Sequence, residues 1–410
     1  MPILTEAASQ MQLPRMFKVK QRFDDTRIKD VEEAVRLELE SEAIQALITP
    51  GQSVAIAVGS RGISELGTIV RTVVTCVKKA GAMPFIVPAM GSHGSATAEG
   101  QVEVLRGYGV TEETMGVPIK SCMEVTLLGQ SSKEIPVYFD KHALAADMVV
   151  LINRVKPHTM FRGAIESGLC KMLAIGLSKH IGCSRLHEED WRDFSEAIVS
   201  CAEVALAKVN VGFGLAIVEN AFHQTALIKA LTGNEIVTKE RHLQTKAKAM
   251  MPALLVPDFD VLVVEQIGKD ISGDGMDPNI IANKGSRKAP GSGPAIKRIV
   301  VLDLSEETHG NAAGIGRAHF TTKAVFEKID FTSTYANVIA VSTPEGGRLP
   351  IVMENEQEAI IAAVKCCRDI AESGPRIVRI KDTLHLDTIW VSENMVPLIA
   401  NNSALTITEG

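Results

Sequence analysis

The sequence predicts an α/β protein of two domains with mostly parallel sheets. Three observations support this. The chain has 410 residues, too many for one ordinary core. Its apolar content is 46% and its charged content 22%, a globular balance. Short β-branched apolar runs alternate with longer runs of helical spacing, the rhythm of β-α-β units.

The elements follow in order. "SVAIAVGS" (53–60) is apolar on both faces and reads as a buried strand. "ELGTIVRTVVTCVKKAG" (65–81) has helical spacing and stops at a glycine. "MPFIVPAMGSHG" (83–94) is a strand and its loop, and "AADMVVLINRV" (145–155) and "FGLAIVEN" (213–220) are further strands. The Pro-rich "MPALLVP" marks a boundary, giving domains over 1–253 and 254–410. In the second, "KRIVVLDL" (297–304) and "YANVIAVST" (335–343) read as strands. "ENEQEAIIAAVKCCRDIAESG" (354–374) reads as an amphipathic helix with a glycine stop, and "NKGSRKAPGSGP" (283–294) as a loop.

Composition excludes several classes. Net charge is −6, without a basic tail, and aromatics are 4%, which argues against nucleic-acid binding. The N-terminus has neither the basic start nor the apolar core of a signal peptide, and the apolar runs are strand-sized, so no membrane span is expected. Seven scattered cysteines, two of them adjacent (Cys366 and Cys367), fit a reducing cytoplasm. An oligomer is compatible with all of this.

Ligands of open α/β sheets bind beyond the carboxyl ends of strands, which singles out four loops. "VGSRG" (58–62) joins strand to helix through two glycines; its N–H groups suit an anion, and Arg61 adds a fork that fits a carboxylate or phosphate. The plain alternative is a tight turn with a solvated arginine. "AMGSHGSATAEGQ" (89–101) carries His93 among small residues, either a titrating group or a polar surface residue. "KPHTMFRGAIESGLCKMLAIGLSKHIGCSRLH" (156–187) holds His158, Lys171, His180 and His187. Its run "KMLAIGLSKHI" is too apolar to be all surface, so Lys171 is expected partly buried, where a lysine loses its charge readily and becomes a nucleophile. Cys170, His180, Cys183 and His187 are candidate soft-metal ligands, but no pair has structural-zinc spacing. "EQIGKDISGDGMDPN" (265–279) offers Gln266 and Lys269 for a hydroxy-carboxylate, or is an acidic, glycine-rich turn; it lacks the closing glutamate of an EF-hand.

Taken in order, these loops resemble the nickel-dependent lactate racemase family over nearly the whole chain. The resemblance implies two α/β domains, the second closing over an interdomain active-site cleft. It implies a nickel-pincer nucleotide, a pyridinium-3,5-bisthiocarboxylic acid mononucleotide, tethered to Lys171, with His187, sixteen residues on, as the nickel ligand. It further implies His93 and His158 as the acid/base pair, Ser60 and Arg61 as cofactor contacts, and Arg61, Gln266 and Lys269 as substrate anchors. Cofactor-biosynthesis proteins follow as partners. The stretch between His158 and Lys171 is slightly longer than in lactate-specific members, and neither Trp191 nor Trp390 falls on the family's substrate tryptophan. A larger 2-hydroxy acid, malate or a sugar acid, is therefore expected at least as much as lactate. A divalent-metal hydrolase or hydro-lyase, and a nucleotide- or metal-binding protein without turnover, stay open as other classes.

Such chemistry has definite needs. Removing a proton beside a carboxylate leaves a costly dianion; moving hydride avoids it. That takes an electrophile no side chain supplies, a base for each enantiomer and a cationic anchor.

Overall fold

The computed structural model describes residues 11–60, 62–190, 192–281, 293–340 and 342–409. They divide into two compact units, Asp24–Met251 and residues 252–409 joined by 11–23. Strand β1 (Met16–Gln21) opens the described chain and belongs to the second unit.

In Asp24–Met251, β2 (Ser53–Val58), β3 (Met83–Pro88), β6 (Met148–Arg154), β7 (Val211–Glu219) and β8 (Thr225–Thr232) form one sheet, ordered β3-β2-β6-β7-β8. A separate hairpin joins β4 (Val125–Gln130) to β5 (Pro136–Asp140). All pairs in the five-stranded sheet are parallel except β7 with β8. Strand β2 shows why the run looked uniformly apolar. Ala55 and Ala57 enter one core, and Val54, Ile56 and Val58 enter the other, so both faces are covered. Helix Leu66–Lys79 buries Leu66, Ile69, Val70, Val73, Val74 and Val77 against the second of these cores, which is the spacing its sequence predicts.

The chain steps from β2 outward to β3, then returns to the other side of β2 for β6. The order therefore reverses between β2 and β6, and in open α/β sheets ligands bind beyond the carboxyl ends of strands at such a point. Ser60 follows β2 and His158 follows β6.

The second unit repeats this logic. β9 (Phe259–Val264), β10 (Ile296–Val301), β11 (Phe320–Thr322), β12 (Ile351–Met353) and β13 (Ile377–Ile380) are parallel, and β14 (Thr388–Ser392), β1 and β15 (Leu405–Glu409) extend the sheet antiparallel. The order is β12-β11-β10-β9-β13-β14-β1-β15, reversing between β9 and β13. The α/β class with mostly parallel sheets is thus the fold of the chain.

Three expectations are revised. The division at 253/254 put the first residues with the N-terminal domain, whereas β1 pairs with β14 and β15. Gln21 fixes it there, donating to the carbonyls of Ala253 (3.0 Å) and Leu386 (2.7 Å). The expected strand over 335–343 is instead helix Phe331–Ala340. Asp330 starts that helix, accepting from the N–H groups of Thr332 and Ser333 and outweighing the β-branched content. The expected helix over 354–374 ends early, as Glu356–Lys365, with Cys366 and Cys367 just beyond. The expected loop over 283–294 lies, but for its last two residues, outside the described residues.

Candidate active site

The first unit brings five of the expected residues to one edge of its sheet. Ser60 Oγ lies 2.6 Å from His93 Nδ1, which joins the loops after β2 and β3. A hydroxyl both donates and accepts, so this contact permits either neutral tautomer of His93. Ser92, next to His93, reaches Cys183 (3.7 Å), and Cys183 Sγ lies 3.6 Å from His187 Nδ1. The ring of His187 lies 5.3 Å from that of Phe194, tilted by 56°, Phe194 lies 4.9 Å from Phe161, and Phe161 lies 4.4 Å from His158. Through the peptide bond from Ser92 to His93, these contacts connect Ser60, His93, His187 and His158. Lys171 is half-buried near enough for its charge to oppose protonation of His187. Arg61 lies outside the described residues, as does Trp191.

The hydrogen bonds fix which nitrogen does what. A carbonyl only accepts, so His187 Nδ1 donates to Cys183 O (2.6 Å), leaving the neutral lone pair on Nε2. This is the backbone-oriented imidazole that metal sites use. Burial of His187 works against its charged form, but the hydrogen bond and negative charge of Cys183 outweigh it and raise the pKa. Burial likewise works against the Cys183 thiolate, yet His187 and Ser92 bring its pKa below the usual value. His158 is held differently. The Met160 N–H donates to its Nδ1 (3.1 Å), so the neutral ring carries its proton on Nε2. Taking a second proton requires that amide to move away.

Four supporting residues were not singled out by the sequence. Glu166, fully buried, accepts from the N–H of His158 (2.8 Å) and of Gly163 (2.9 Å) and pairs with Lys248 (2.7 Å). Gln244 Oε1 accepts from Glu166 N (3.0 Å), and Lys248 donates to Gly163 O (2.7 Å). Glu240 accepts from the N–H of Leu169 (2.7 Å) and of Cys170 (3.2 Å), at the start of the helical run carrying Lys171. Glu240, Gln244 and Lys248 lie one turn apart on helix Ile236–Ala249. Two of them share the stripe of Ile236, Leu243 and Ala247, a sequence signal that counts only once that stripe is known to face inward.

Two predictions arise here. Gly168 has φ +139, and a Cβ on it would sit 2.8 Å from the Glu240 carboxyl. Gly168→Ala should lower stability by roughly 1–3 kcal/mol, seen as a lower denaturant midpoint; an unchanged midpoint contradicts the geometry. Burial pushes Glu240 up to about 8, against the pull of its backbone donors. Between about pH 4.5 and 8 the unfolded chain has lost this proton while the fold retains it, so stability falls as pH rises through that window. Glu240→Gln keeps the acceptor and removes the titration. It should flatten that fall by on the order of 3 kcal/mol between pH 5 and pH 8, measured by denaturant unfolding. Parallel profiles in both proteins would rule this out.

The candidate soft-metal ligands do not assemble. His180 is exposed, Cys170 is wholly buried with its pKa driven well up by burial, and among the described residues no three His, Cys, Asp or Glu side chains gather as ligands.

Gln266 and Lys269 lie in the second unit, after β9. The Gln266 N–H donates to Lys381 O (2.9 Å) across the point where that sheet reverses. Lys269 Nζ donates to Gly273 O (2.5 Å) and Asn337 Oδ1 (2.7 Å). Beyond β13 in the same unit, buried Asp382 accepts from Nδ1 of exposed His385 (2.9 Å), a pair the sequence reading passed over. Among the described residues no helix is long and apolar enough to cross a membrane.

Residues 7–194 match the model of the lactate racemase N-terminal domain. The fold is similar to the lactate racemase apoprotein from Thermoanaerobacterium thermosaccharolyticum, at 16% identity and TM-score 0.50, over 90% of this chain and 89% of that one. It is also similar to a protein from Thermotoga maritima, at 13% identity and TM-score 0.52, over 87% and 96%. No curated protein matches the sequence.

Proposed function

We propose, from a chain whose residues 7–194 match the lactate racemase N-terminal domain, a racemase or epimerase that inverts C2 of a 2-hydroxy acid by proton-coupled hydride transfer. The observation that carries this reading is the cluster of Ser60, His93, His158, Lys171 and His187 at one sheet edge.

The donor chemistry fits a nickel-pincer nucleotide. His187 offers Nε2 with its tautomer set by Cys183 O, and Lys171 offers a half-buried amine sixteen residues earlier in the same stretch. One imidazole is enough from the protein when the remaining donors belong to the cofactor. When bound, that group supplies the hydride acceptor that no side chain provides. Ser60 and Arg61 are read as further contacts to it.

The chain's own residues do the proton work. His93, with a hydroxyl at Nδ1, presents Nε2 either as base or as acid. His158, held as the Nε2–H form by Met160, works at Nε2 once the Met160 amide frees Nδ1: the Nδ1–H ring is then the base, and the imidazolium it becomes is the acid. Two imidazoles suit both roles because their unperturbed pKa, ~6.5, lies near neutral pH. Arg61, Gln266 and Lys269 are read as substrate-binding, and replacing Gln266 or Lys269 should raise KM more than it lowers kcat. The reading is of a cytoplasmic enzyme served by proteins that make the cofactor, acting on malate or a sugar acid at least as readily as on lactate.

The test is chiral chromatography of single-enantiomer 2-hydroxy acids, each incubated with protein made in cells that carry the cofactor-making enzymes. Loss of optical purity in at least one acid is expected. Retention across lactate, malate and sugar acids, with nickel bound, would sink the reading.

A further inference from the structure

Lys179 is wholly buried, and its backbone is left-handed, φ +53. Both features are unfavourable for a lysine, and both persist only where surroundings dictate them. It also sits just past the π-helical turn Met172–Gly176, an irregularity common at functional sites. Its partners explain the arrangement. Nζ donates to Pro88 O (2.5 Å), the last residue of β3, and to Gln101 Oε1 (3.0 Å), and pairs with Asp140 (3.3 Å). Gln101 and Asp140 are also wholly buried. Gln101 Nε2 in turn donates to Gly91 O (2.8 Å) and reaches His93 O (3.4 Å). The ammonium therefore grips the loop of His93 at its root directly and at its tip through Gln101. Asp140 is itself fixed, accepting from Ala143 N (2.8 Å) and from Cys122 Sγ (3.7 Å).

We propose that Lys179, anchored by Asp140 and acting through Gln101, is the positioning residue for His93. It sets the path of residues 88–93 and so holds the His93 ring against Ser60. Nothing in the proposed reaction uses Lys179 as an acid, base or nucleophile, and its burial keeps it from solvent. The inference rests on the racemase reading only for the role of His93; the positioning itself is separately measurable. Burial lowers its pKa, and Asp140 opposes that shift.

The experiment follows the histidine rings by NMR over a pH series in full-length protein. The variants are Gln101→Leu and the double variant Asp140→Asn with Lys179→Met, which leaves no lone buried charge. The His93 midpoint should move by about half a pH unit or more in both, while those of His158 and His187 stay. On any 2-hydroxy acid the wild type turns over, kcat should fall at least about tenfold with KM little changed. An unmoved His93 in both folded variants overturns the proposal, and so does a joint shift of all three histidines, the mark of general loosening. A selective His93 shift in a protein that racemises nothing upholds the positioning and sinks the racemase reading instead.

Discussion

His93→Ala is expected to cut racemisation by about 10²–10⁴-fold, the contribution of one positioned acid/base group, and His158→Ala by a similar factor. In the proposed reaction each turnover passes one histidine on the way to the keto acid and the other on the way back. Either loss alone therefore blocks the cycle. For the same reason the double variant should fall little below the worse single one, because groups that act in series are not additive. Far-UV circular dichroism should be unchanged, since both side chains sit on loops beyond β3 and β6, and neither lies in the fully buried core. Near-normal racemisation in either single variant, or costs that simply multiply in the double, would contradict the two-base account.

His187→Ala is expected to abolish stoichiometric nickel in protein purified from cofactor-making cells. Cys183→Ala should retain most of it. The difference follows from the hydrogen bonds: His187 is oriented by the backbone carbonyl of Cys183, which the alanine variant keeps, while the thiol lies on the Nδ1 side of the ring, away from the Nε2 lone pair. Nickel analysis by mass spectrometry reads both. Nickel retained without the imidazole, or lost without the thiol, would transfer the ligand role from His187 to Cys183.

The sequence exposed the parts of the candidate site that are local. Strand ends are visible in a single run of residues, so the loops after β2, β3, β6 and β9 could be found, and with them Ser60, His93, His158 and Gln266. Lys171 and His187 were found in one stretch for the same reason, though not its helices. What stayed hidden was the support. Gln101, Lys179, Glu240 and Gln244 read as ordinary polar residues, because a charge on an apolar stripe is informative only once the stripe is known to face inward. Asp140 needs β5 and the hairpin with β4 before its burial makes sense. The partners of β1 lie at the far end of the chain, beyond any local pattern. Residues 335–343 show the opposite failure: their local pattern favoured a strand, and the cap at Asp330 made a helix.

The central claim is that Lys171 carries a nickel-bearing nucleotide. Intact mass, peptide mapping and nickel analysis of protein made with the cofactor-making enzymes test it most directly. The account predicts one nickel per chain and a mass adduct on the peptide containing Lys171. Protein free of both, from cells in which a known nickel-pincer enzyme is fully loaded, would contradict it.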